Sequence, residues 1–264
     1  MLRCESLRGL ALSPRTLSPA AACVDILMRT TRGYNVAVAI GVGLLSGVGV
    51  GLVALGVLEA QFGYPLRALA VLAALLAGVL WVSGDEHPYT EVGLANYVTT
   101  IRAILVALVA GAVSSPATTA MLWALVGLTI VASALDGVDG WLARRTGMTG
   151  GFGARFDMET DALLILVLSL LVWQHEKAGA WVVLCGLMRY GFVAMGWVLP
   201  WLAQPLRSTW RGKAVAVSQV LGLAAALAPV VPVPLSTMVA AGALMTLLWS
   251  FAIDVRWLSR TGTT

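Results

Sequence analysis

Apolar stretches of about 20 residues recur along this 264-residue chain, and each has the length of helix needed to cross a hydrocarbon core of roughly 30 Å. Eight helical spans are predicted, at 35–58, 66–82, 93–113, 118–135, 154–173, 179–200, 213–231 and 235–257. Turn formers such as Ser114-Ser115-Pro116 and Pro232-Val233-Pro234 fall between them. Trp81, Trp141, Trp173, Trp181, Trp201 and Trp257 sit near span ends, where an interfacial aromatic belt places them. A hydrophobic fraction of 59% and a mean hydropathy of +0.88 exclude an ordinary soluble chain of this length.

The net charge of +4 does not indicate a nucleic-acid binder, because the basic residues lie between apolar runs rather than on one soluble module. Cys4, Cys23 and Cys185 are widely spaced and form no CxxC pair, so neither a disulfide framework nor a zinc site follows. Residues 1–33 hold Arg3, Arg8, Arg15, Arg29 and Arg32 among prolines and serines. Basic residues continue up to the first long apolar run, which fits a flexible cytoplasmic segment better than a signal peptide.

Eight spans put both termini on one side, together with the loops around 137–153 and 202–212 and the tail 258–264. That side collects nearly all the Lys and Arg, while the opposite face has only Arg67 and Lys177. Positive loops stay inside, so a multi-pass protein of the cytoplasmic membrane is expected, with both termini in the cytoplasm. In the first span Gly43, Gly47 and Gly51 repeat every four residues, a spacing that permits close helix packing and does not match a nucleotide-binding fingerprint.

Only 11% of residues are charged, yet four aspartates gather at the ends of two apolar runs. The stretch reads Asp136-x-x-Asp139-Gly140-x-x-Ala143-Arg144, eight residues, then Gly153-x-x-x-Asp157-x-x-x-Asp161. An ionised side chain within a span costs roughly 2.5–3.5 kcal/mol on insertion scales, so such a cluster requires compensating positive charge. Asp136 and Asp139 share one helix face, as do Asp157 and Asp161. An antiparallel hairpin turning near Met148 brings all four together, facing the cytoplasm. Oxygen-only ligands suit hard cations such as Mg2+ or Mn2+, and His87 and His175 lie elsewhere, which disfavours zinc. Two divalent ions held by shared carboxylates, roughly 3.5–4 Å apart, serve phosphoryl chemistry. Gly140 and Ala143 offer a small surface to a nucleotide, and Arg144 offers a planar cation to a pyrophosphate.

This stretch resembles the signature of the CDP-alcohol phosphotransferase family, membrane enzymes of phospholipid synthesis, with every fixed position filled. The resemblance implies an all-α integral membrane protein whose six-helix core, over 91–257, is preceded by two additional transmembrane helices in 34–83. It also implies two divalent metal ions held by Asp136, Asp139, Asp157 and Asp161, with Asp161 also the general base. The CDP moiety would lie against Gly140, Ala143, Arg144, Gly153 and Asp157. Asn96-x-x-Thr99-x-x-Arg102 is similar to a second family element, although Ala95 stands where a proline is usual, and these three are weaker candidates for donor or acceptor contacts. The implied reaction transfers the phosphatidyl group of CDP-diacylglycerol to a small alcohol acceptor, glycerol 3-phosphate among the choices, and releases CMP. A homodimer is the common assembly of such proteins, and no nucleic acid is involved.

Further basic residues are candidates for donor or acceptor contacts. Arg189 lies mid-span, where it either meets the acceptor or pairs with a carboxylate. Arg155, Arg211 and Lys213 would border the cytoplasmic cavity, against an acceptor phosphate or lipid head groups. Glu159 points away from the Asp157–Asp161 face, and Asp254 reads as a flank charge beside Arg256. Two rival functions fit the same residues: a CDP-choline or CDP-ethanolamine donor with a lipid acceptor, and a transporter whose intramembrane aspartates bind its cation.

Overall fold

The computed structural model describes residues 63–83, 94–116, 118–146, 151–199 and 210–261, and every regular element among them is helical. The helices are α1 (Gly63–Ser83), α2 (Leu94–Gly111), α3 (Thr119–Thr146), α4 (Gly151–Gln174), α5 (Leu184–Val198), α6 (Trp210–Leu227) and α7 (Val233–Thr261). A 3-10 turn, Ala180–Val183, leads directly into α5. The all-α membrane architecture thus holds, and α2 to α7 are the described helices within 91–261. The span at 35–58, its glycine stripe and the basic N-terminal segment lie outside the described residues.

Among the described residues three stretches are long and apolar enough to cross a membrane: Thr119–Gly137, Ala180–Val198 and Val233–Ser259. Gly63–Gly78 and Thr100–Gly111 are shorter apolar helices. Helix α4 is diluted by Arg155, Asp157, Glu159 and Asp161 within its first turns.

Helix α3 departs from the expected boundary at residue 135. It continues through Asp136 to Thr146, about eleven residues or 16 Å further. The apolar run stops at Leu135, but Trp141, Leu142, Ala143, Arg144 and Arg145 sustain a helix, and no proline intervenes. The aspartates therefore lie along a helix rather than at its tip.

Helix α2 packs on α1, α3 and α4, and α6 packs on α3, α4 and α7. Among the described residues α3 and α4 meet each other far less than either meets α2 or α6. Both carboxylate-bearing helices are thus held on α2 and on α6. Helix α2 suits this position because Ala103, Val106, Ala107, Val109 and Ala110 are all buried, and small side chains let neighbouring backbones approach. Helix α1 is tied to α2 by the buried Tyr64 hydroxyl, which donates to the Leu108 carbonyl at 2.6 Å. Buried Gln219 joins α6 to α7 by donating to the Ala243 carbonyl and, at 3.2 Å, to the Thr246 hydroxyl.

The α4–α5 contact is closest at Gly186. A Cβ placed there would sit 2.3 Å from the Leu166 Cα, which is backbone and cannot turn aside. Gly186→Ala is expected to force the helices apart at a cost of about 3 kcal/mol or more. A drop in the unfolding midpoint in detergent measures it, and an unchanged midpoint would refute the close crossing.

Arg67 and Lys177, the two basic residues assigned to the outer face, each end in a polar cluster. Arg67 donates to the Ser115 hydroxyl. The Gln174 side chain accepts from the Ser114 amide at 2.6 Å and donates to the Ser115 carbonyl at 2.7 Å. Lys177 donates to the carbonyls of Val231 at 2.8 Å and Ala228 at 3.2 Å, capping the C-terminal end of α6 with a cation. The Ser236 and Thr237 hydroxyls in turn donate to the Lys177 carbonyl. Glu176, with φ of 55°, supplies the left-handed residue that ends α4, and the Lys177 amide reaches back to the Val172 carbonyl at 3.0 Å.

Candidate metal centre

Asp136 comes from α3, and Asp157 and Asp161 from one face of α4. Each offers a carboxylate oxygen, and these oxygens all lie within 4.8 Å of one another. Arg102 of α2 reaches into the group. Its Nη1 donates to Asp136 at 2.9 Å and to Asp157, while Nη2 donates to Asp161 and, at 3.4 Å, to the Asp157 backbone carbonyl. The guanidinium is only 1% exposed, whereas the Asp136, Asp157 and Asp161 side chains are 34%, 39% and 34% exposed. The cation thus closes the inner side of the cluster, and the carboxylates keep an open outer side.

Three carboxylates beside one guanidinium form an anionic oxygen donor set of the kind that suits a divalent ion. Hard oxygen donors, mutual spacing within reach of one ion and partial exposure all fit Mg2+ or Mn2+. The compensation expected from metal alone is therefore shared: part of it is built into the chain. From sequence, Arg102 stands only among candidate donor or acceptor contacts. The signal for its true neighbours was its standing as the sole charged residue of α2, since a charge within an apolar helix needs a partner.

The side chains of Asn96, Thr99, Asp139, Gly140, Ala143, Arg144, Gly153 and Arg155 lie outside the described residues. The α3 backbone nonetheless carries Asp139 three residues after Asp136, on the same face.

Two of the remaining basic candidates have carboxylate partners. Arg189 of α5 donates to Glu159 at 2.5 Å, fixing the outward face of α4 against α5. Arg211 of α6 pairs with Asp254 of α7, and its guanidinium lies 5.9 Å from the Trp249 ring centroid. Asp254 is therefore an interhelical partner rather than a flank charge beside Arg256. The side chains adjacent in sequence misled, because the partner lies 43 residues away. Lys213 is exposed.

An all-helical membrane bundle carrying an oxygen-ligand cluster on two of its core helices defines a narrow class. The profile of the CDP-alcohol phosphatidyltransferase family matches residues 92–253, and the chain belongs to that family. Members are transferases that move a phosphatidyl group from a CDP-alcohol, which sets aside the transporter alternative. No curated protein and no solved structure gives a match to this chain.

Proposed function

We propose that this protein transfers the phosphatidyl group of CDP-diacylglycerol to a small alcohol, with glycerol 3-phosphate as the first candidate, and releases CMP at the cytoplasmic face of the membrane. The observation that carries this reading is the meeting of Asp136, Asp157 and Asp161 on core helices, within the signature that runs from Asp136 to Asp161. The acyl chains of the donor remain in the bilayer while its head group reaches the exposed side of the cluster.

Asp136, Asp139, Asp157 and Asp161 would hold two divalent ions, Mg2+ or Mn2+, which when bound supply Lewis-acid polarisation of the diphosphate. Arg144 holds the pyrophosphate, and Gly140, Ala143 and Gly153 leave room for the nucleotide. Asp161 accepts the proton of the acceptor hydroxyl. The hydroxyl oxygen then forms a bond to the β-phosphorus, the bond from that phosphorus to the bridging oxygen breaks, and CMP departs. The catalytic domain is 91–257, with the helices of 34–83 beside it.

Purified protein in detergent, given CDP-diacylglycerol and a panel of alcohols, tests the proposal. CMP should form with one acceptor, and mass spectrometry of the lipid product names it. CMP formed instead from CDP-choline or CDP-ethanolamine with diacylglycerol would reverse the donor assignment. The absence of CMP with every pair would overturn the reading.

A further inference from the structure

We propose that Arg102 is a resident counter-ion that competes with divalent cations for Asp136, Asp157 and Asp161, so that it sets how tightly this cluster takes up metal. The inference rests on the metal reading above and assigns one residue a further task within it. Arg102 bonds to the same three carboxylates that form the candidate cation site. An oxygen lone pair directed at the guanidinium is not available to an ion. The two occupants are therefore coupled, and whatever one gains in binding the other loses.

The burial pattern fits exchange rather than a permanent tie. The guanidinium approaches from the sealed side along α2, and the carboxylates stay open on the other side, from which an ion arrives. Arg102 also holds a bond that no cation at the carboxylates removes, from Nη2 to the Asp157 backbone carbonyl. It can therefore release carboxylate oxygens without losing every partner or leaving the cluster. With metal absent, the guanidinium offsets the mutual repulsion of the aspartates and keeps α2, α3 and α4 together. With metal present, part of that attraction is given up, which weakens the net affinity.

The full chain, purified in detergent and stripped of metal, is titrated with Mn2+ while the free-ion EPR signal is followed. The parent is compared with Arg102→Met and Arg102→Lys, and loss of uptake in Asp157→Asn assigns the signal to this cluster. Arg102→Met should bind Mn2+ roughly tenfold more tightly than the parent. It should unfold at a lower temperature in EDTA and show a larger rise in that temperature when Mn2+ is added. Arg102→Lys, a point charge that cannot fork across three carboxylates, should fall between the two. Equal or weaker uptake by folded Arg102→Met overturns the proposal. If that variant does not fold, Arg102→Lys decides by the same titration, with tighter uptake supporting the proposal and equal or weaker uptake refuting it. A folded parent that takes up no Mn2+ would remove the metal reading itself, an outcome distinct from a parent that binds and variants that merely equal it.

Discussion

Asp161→Asn is expected to lower CMP release by about 10³-fold, within the range that loss of a positioned general base produces. Asparagine keeps the size of the side chain and its hydrogen-bonding oxygen but cannot accept the acceptor's proton at neutral pH. Donor binding should persist in part, because Asp136 and Asp157 remain. A rate assay paired with a binding measurement on a CDP-linked lipid separates the two effects. Full activity in this variant would remove Asp161 as the base, and lost donor binding with an intact unfolding midpoint would recast it as a ligand alone.

Chelation is the second large effect. EDTA should silence the protein, a loss on the order of 10³-fold for a reaction in which Lewis-acid stabilisation supplies several kcal/mol. Mg2+ or Mn2+ added back should restore the rate. The fold should survive the treatment, since Arg102 holds the carboxylates without metal. Activity indifferent to chelation would contradict the metal reading, whereas a fold that collapses in EDTA would contradict the part given to Arg102.

The helices could be read from apolar length because a hydrocarbon-spanning segment has little freedom in composition. Helices α2 and α4 to α7 accordingly fall within a few residues of their expected positions. Hydropathy reports contact with lipid, not the end of a helix, and for that reason the polar extension of α3 to Thr146 went unread. The aspartate cluster was visible because charge in apolar surroundings is conspicuous and helical spacing fixes which carboxylates share a face. The neighbours of those faces were not visible. Chain order makes α3 and α4 consecutive, but it does not show that both pack on α2 and α6, nor crossings such as Gly186 on Leu166. The pairs Arg189–Glu159 and Arg211–Asp254 were hidden for the same reason, since each joins separate helices.

The placement of Asp136 on α3, and of Asp157 and Asp161 on α4, bears on which ion the cluster would prefer. Both helices pack on α2 and α6, so the gap between their carboxylates follows how those two helices hold them. Mg2+ demands oxygens at about 2.0–2.1 Å and Ca2+ accepts about 2.3–2.6 Å, so shifts of a few tenths of an ångström select between radii. Bulk added to or removed from the facing surfaces of α2 and α6 would shift that spacing without touching an ion.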